Sequence, residues 1–263
     1  MRFVVRLLYL ALALLLPGAF ASACELRIAW KHEPPYQYED ERGRLSGLEI
    51  EVARAALARI DCRLIPVELS FARAMSELEG GRLDIVPGVL PLPERERYAR
   101  FSLPGTRTRN LVFLRSDLEP GLRVNTMDAL RASELRVGLE HGVAYRAELK
   151  ARLARPGLER RLEEATSLEG LLRMLQMHRI DALVADEYSA SFLARQLGLA
   201  SVLQSTSIVI DNDAPVFAFS RLNVKPDLIE RFNAALDALR RDGTLQRLET
   251  QFLTQPPPPL RRP

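Results

Sequence analysis

Apolar residues along the chain fall into short continuous runs that alternate with segments of helical spacing. That is the pattern of strands covered on both faces and joined by amphipathic helices. Leu26 to Trp30, Leu64 to Val67 and Asp84 to Val89 read as three strands. Between the first two, Leu48, Ile50, Val52, Ala55, Ala56 and Ile60 recur at helical spacing, with Gly47 before the segment and Asp61 after it. Phe71 to Glu79 predicts a second helix, closed by Gly80-Gly81. A second stretch of like grammar runs from Leu135 through Ala185, entered by a strand at Val112 to Leu114 and followed by a helix from Glu187 to about Leu197. Ala214 to Ser220 reads as a returning strand. Asp227 to Arg240 is an amphipathic helix, and a short helix ends at Phe252.

The two stretches share spacing as well as grammar. Leu78, Arg82, Leu83, Asp84 and Val86 form the pattern L-x-x-x-R-L-D-x-V, and Leu175, Arg179, Ile180, Asp181 and Leu183 repeat it as L-x-x-x-R-I-D-x-L. A serine suited to a helix N-cap opens each copy, Ser70 or Ser167, and a strand-like tetrapeptide precedes each, Leu26-Arg27-Ile28-Ala29 or Leu135-Arg136-Val137-Gly138. Two α/β domains of similar construction are expected.

A chain of 263 residues is long enough for about two such domains. Arg2 and Arg6, the apolar run Leu7 to Leu16, Pro17-Gly18 and Ala21-Ser22-Ala23 have the order of a secretory signal peptide, expected over residues 1–23. Losing Arg2 and Arg6 would bring the formal charge from +3 to +1, so a basic nucleic-acid surface is not indicated. Cys24 and Cys62 each stand just before a predicted strand; if those strands are parallel neighbours, the sulfurs start level and a disulfide is favoured in an exported protein. The other reading is a lipid anchor on Cys24, although Ala21 stands where lipoprotein signals usually carry a larger aliphatic residue. Pro256 to Pro263 is a proline-rich tail without packing residues. No His or Cys cluster has metal-ligand spacing and no glycine-rich phosphate loop follows a strand, so neither a metal nor a cofactor is expected.

Trp30 with Glu33-Pro34-Pro35-Tyr36, then Gly43 through Glu51, Gly81-Arg82-Leu83-Asp84, Pro93-Glu94-Arg95 and Phe101-Ser102 resemble, in order and spacing, the family 3 extracellular solute-binding proteins. Leu135 to Gly138, Arg179 to Glu187 and Asp242-Gly243-Thr244-Leu245 extend the resemblance over nearly the whole chain after the leader. It implies an α/β, two-lobed periplasmic-binding-protein type II fold, each lobe a mostly parallel sheet flanked by helices. Lobe 1 is expected over 24–107 and 216–255 and lobe 2 over 108–215, with crossings near Arg107 to Arg109 and Ala214 to Phe217. The implied function is periplasmic binding of an amino acid or similar small carboxylate, by a monomer, for delivery to an inner-membrane ABC permease.

On that resemblance, Arg95 falls on the family's arginine that clamps the ligand carboxylate, and Asp186 on the acid that accepts its ammonium. A planar guanidinium suits the first role. Asp186 is equally a candidate N-cap for the helix after it, and both roles hold only if separate carboxylate oxygens serve them. Tyr36 and Phe71 fall near aromatic positions of the cleft, and Gly88 is retained. Departures are Leu90 and Leu92 where the family has hydroxyl residues, and Gly142 followed by Val143-Ala144 where it has glycine and two hydroxyls. Two further readings stand beside binding for transport. One is a small-acid dehydratase on the same fold, using His32, His141 or Glu33 as acid and base; the other is a sensor module.

Overall fold

The computed structural model describes residues 24–119, 124–141 and 158–254. The leader segment, the proline-rich tail from Pro256, and Gly142, Val143 and Ala144 lie outside the described residues. In chain order the strands are β1 Cys24–Trp30, β2 Tyr38–Glu39, β3 Leu45–Ser46, β4 Cys62–Glu68, β5 Ile85–Val89, β6 Ala99–Phe101, β7 Thr108–Arg115, β8 Val137–Glu140, β9 Leu162–Ala165, β10 Ala182–Asp186, β11 Leu203–Asp213 and β12 Val216–Ser220. The helices are α1 Leu48–Ala58, α2 Phe71–Glu79, α3 Met127–Ala132, α4 Leu168–Gln176, α5 Glu187–Gln196, α6 Pro226–Arg241 and α7 Thr244–Glu249.

Two five-stranded sheets result, ordered β4-β1-β5-β12-β6 and β11-β7-β10-β8-β9. In the first, β4, β1 and β5 are parallel, whereas β12 runs antiparallel to both β5 and β6. In the second, β10, β8 and β9 are parallel and β7 is antiparallel to β10 and β11. The reason is topological: a strand arriving from the other lobe enters at the edge where the parallel strands leave. The chain passes between the sheets at residues 102–107 and 214–215.

Each sheet is covered on both faces. Leu26 and Ile28 of β1 pack into a core with α1 and α6, while Ala29 joins Ala74, Met75 and Leu78 of α2 on the other face. Val112 and Leu114 of β7 face one core of lobe 2, and Leu111 and Phe113 face the other with α4 and α5. The alternation is the period-2 geometry of a strand between two apolar layers. Ser167 caps α4 by accepting from Gly170 N at 3.1 Å, but Ser70, at the matching place before α2, makes no such bond.

The repeated R-[LI]-D motif has one structural meaning in both lobes. Asp84 Oδ2 accepts from the backbone N of Arg27 at 2.7 Å, and the guanidinium closes a fork on both carboxylate oxygens at 3.0 Å each. Asp181 receives the same three bonds from Arg136, at 3.0, 2.9 and 3.1 Å. The second guanidinium nitrogen also reaches the carbonyl of Gly81 in one lobe and of His178 in the other. These two residues occupy equivalent positions and share a left-handed backbone, φ 70° and 57°. Burial opposes the charge of each aspartate, but the arginine bonds outweigh it and hold both carboxyls below their ordinary value.

Cys24 and Cys62 are register partners at the start of the parallel pair β1 and β4, and they form a disulfide. Bridging residues 38 apart stabilises by about 4 kcal/mol in the chain-entropy account. Asp84→Ala and Asp181→Ala are each expected to cost about 2–4 kcal/mol in denaturant unfolding, because each strands a guanidinium and a strand N–H. A loss below about 0.5 kcal/mol for either would remove the fork from the account of stability.

Candidate functional site

Parallel strands deliver their exits to the space between the lobes, where ligands of open α/β sheets sit. Trp30 at the end of β1, the segment after β5 and Asp186 at the end of β10 line adjoining cavities there. The central cavity has a volume of about 200 Å³. Among its walls are Glu33, Tyr36, Phe71, Gly88, Arg95 and Asp186, so these expected site residues share one hollow with Leu90. Leu92 is not among the wall residues, and Gly142 lies outside the described residues. An outer cavity of about 410 Å³ adjoins it, sharing Glu33, Asn110, Asp186 and Ser189 and adding His32 and Glu140. His141 stands at the surface with Nδ1 2.8 Å from Glu164 Oε2, away from these walls.

Arg95 belongs to a single turn of 3-10 helix, Pro93–Arg95, that follows the proline-rich exit of β5. Its Nη1 donates to the carbonyl of Leu90 at 2.8 Å, and its guanidinium carbon lies 5.7 Å from the centre of the Phe71 ring. Backbone carbonyl and aromatic face together hold the guanidinium at the cavity wall.

Asp186 divides its two oxygens. Oδ1 accepts from Tyr188 N at 3.1 Å and Ser189 N at 2.8 Å, capping α5, and from the Tyr36 hydroxyl at 3.0 Å. Oδ2 is buried and has no hydrogen-bond partner. A carboxylate oxygen left thus is costly unless a donor arrives. Burial pushes the Asp186 carboxyl up to about 6. Tyr36 belongs to lobe 1 and Asp186 to lobe 2, so their bond spans the cleft. Burial raises the Tyr36 phenol well above its ordinary value, which keeps it a donor at neutral pH.

Glu49, absent from the sequence-based expectations, is the second buried acid. It is 8% exposed, in the first turn of α1, and accepts from Gln37 Nε2 at 2.7 Å through Oε2. Leu48 N and Glu49 N donate to the carbonyls of Pro35 and Tyr36, which ties this turn to the Tyr36 loop. Its carboxylate lies against Gly88, where an added Cβ would come within 3.1 Å of Oε1. Burial, reinforced by Glu33, pushes Glu49 up to about 7. Thr108, Asn110, Ser189 and Pro215 complete the wall from the crossing segments and α5.

The model of the bacterial extracellular solute-binding proteins, family 3, matches residues 26–255. This chain belongs to that family. It is 27% identical over 222 residues to a probable amino-acid-binding protein, YxeM, of Bacillus subtilis, covering 84% of this chain and 80% of that one. To the L-cystine-binding protein TcyJ of Escherichia coli it is 23% identical, over 83% of this chain and 78% of the relative. Its fold superposes on the GluR0 ligand-binding core, solved with L-glutamate, with a TM-score of 0.72 at 18% identity, covering 89% of this chain and all of that one. The family-3 chain therefore has the two-lobed type II periplasmic-binding fold. Among the described residues no helix is long and apolar enough to cross a membrane.

Two buried carboxyls raised above their unfolded values set a pH dependence of stability. A raised carboxyl contributes stability below its unfolded value near 4, and this is lost as pH rises through its folded value. The ligand-free protein is expected to melt at a higher temperature at pH 5.5 than at pH 8. Glu49→Gln is expected to raise the melting temperature at pH 8 and shrink the difference, Glu49 alone contributing on the order of 2 kcal/mol between these pH values. Differential scanning calorimetry at both pH values checks this; an unchanged difference in the variant would show that Glu49 ionises as freely as in the unfolded chain.

Proposed function

We propose that the chain binds the zwitterion of a free amino acid between its lobes and presents it, outside the cytoplasmic membrane, to a permease of the ABC type. The observation that carries the reading is the Asp186 oxygen without a donor, in a wall that Arg95 shares. An ammonium supplies that oxygen with the missing hydrogen bond, and a carboxylate takes the free edge of the Arg95 guanidinium. Arg95 stands on lobe 1 and the unpartnered Asp186 oxygen on lobe 2, so the guest is held best with the lobes together, which couples binding to closure. Phe71 and Tyr36 give the guest aromatic walls, Gly88 keeps the floor low, and Glu33 adds negative charge on the ammonium side. Family membership and relatives named as amino-acid-binding proteins support the transport role and binding without chemical change. The enzyme reading has less support, since His141 stands apart from the cavity walls and does not join His32 and Glu33 there.

Leu90 gives the carboxylate end fewer donors than a hydroxyl residue would, so Arg95 carries more of its recognition. Isothermal titration against the common amino acids is expected to find a ligand, and Arg95→Ala to weaken it by about ten- to a hundred-fold, the loss of a charged hydrogen-bond pair. Affinity is expected to fall as pH drops through about 6, because protonated Asp186 no longer accepts an ammonium. Retained affinity in Arg95→Ala would sink the assignment of the carboxylate clamp. Silence across the amino acids would sink the function.

A further inference from the structure

Resting on the amino-acid reading, the charges that line the central cavity name a narrower class of guest. Its walls carry Glu33, Glu49, Asp186 and Arg95. Arg95 is matched by the guest's carboxylate and Asp186 by its α-ammonium. Glu33 already has a cation, Lys31 Nζ at 3.1 Å. Glu49 has none. More than nine-tenths buried, it receives one bond, from the neutral Gln37, and no donor among the described residues meets Oε1. The charged groups that act on it most strongly are Glu33, Lys31 and Asp186, and two of these, Glu33 and Asp186, share the cavity wall with it. Tyr36, also in this wall, is neutral. With a zwitterion bound, Glu33, Glu49 and Asp186 face only Lys31, Arg95 and the guest's own balanced charges, so one negative charge is left in excess, a cost that a second cation on the guest removes.

We infer that the guest is an amino acid with a cationic side chain, and that Glu49 is the residue that selects the second charge.

The test is titration of the full chain with L-arginine and L-lysine against their neutral counterparts L-citrulline and L-norleucine, at pH 7.5. The better cationic ligand is expected to bind about ten-fold or more tightly than the better neutral one, the worth of one charge-assisted contact. Repeating the titration at pH 7 in buffers of different ionisation heat is expected to show proton release, roughly half a proton from Glu49 for the cationic ligand. In Glu49→Gln the ratio of cationic to neutral affinity collapses toward one. Neutral ligands equal to or tighter than cationic ones in the wild type, or proton uptake on binding, overturn the inference whether or not the variant folds. A ratio undiminished in a folded Glu49→Gln overturns the role of Glu49. Binding of a neutral amino acid alone leaves the function standing and removes this class; no binding by any amino acid removes the function itself.

Discussion

Two arginine–aspartate forks, one per lobe, hold the first strand of each parallel set to the start of another. Arg27 to Asp84 and Arg136 to Asp181 make the same bonds, to side-chain and backbone donors alike. Each fork lies where the third strand of its set begins, so it fixes which end of the sheet is the entry and leaves the exits to the cleft. Trp30 and Asp186 stand at those exits, and Gly88 near the end of β5. A fork of this kind specifies register as much as it adds stability. The carboxylate is bound by a backbone N–H of a particular residue, and a one-residue slip would put that N–H on a neighbour.

What the forks align is a cleft of unequal ends. The carboxylate end rests on one guanidinium, shaped by a backbone carbonyl and an aromatic ring. The other end gathers carboxylates from three places in the chain: the exit of β1, the first turn of α1 and the exit of β10. They come from both lobes; burial raises Glu49 and Asp186, and repulsion adds to it, from Glu33 and Asp186 at Glu49 and from the neighbouring Glu187 at Asp186. Such a site is costly while empty, and binding energy is recovered from relief of that cost as well as from new contacts.

Much of this was legible in the chain. The matched spacings around Asp84 and Asp181 announced two similar units, and the structure gives them one chemical meaning that spacing alone does not contain. Arg95 and Asp186 stand out through their place in a family pattern, and the structure sets both in one cavity wall; by composition Arg95 is one of a run of alternating charges with Glu94, Glu96 and Arg97. Glu49 was passed over because, in sequence, it is an acid in the first turn of an amphipathic helix, where acids commonly face water and favour the helix dipole. Its burial depends on the loop of Pro35 and Tyr36 folding over that turn, a tertiary fact with no local signature. Asn110, Ser189 and Pro215 were missed for a like reason, since each becomes a wall only when the crossings bring the lobes together. The antiparallel entry of β7 and β12 follows from the route of the chain and not from the apolar runs that marked the strands.

The three donors on Asp186 Oδ1 have one more consequence. Two are amides of a helix turn and the third is a phenol packed into the facing lobe, so the carboxylate cannot rotate without breaking all three. The two helix amides, on its own lobe, orient the carboxylate whatever the facing lobe does, and the phenol adds the third bond when the lobes are together, so little torsional freedom is surrendered there on binding. Arg95, on a single short turn at the end of a long side chain, is the adjustable pole. On the proposed reading, small differences in guest length fall to the guanidinium, while the aspartate stays where its helix turn holds it.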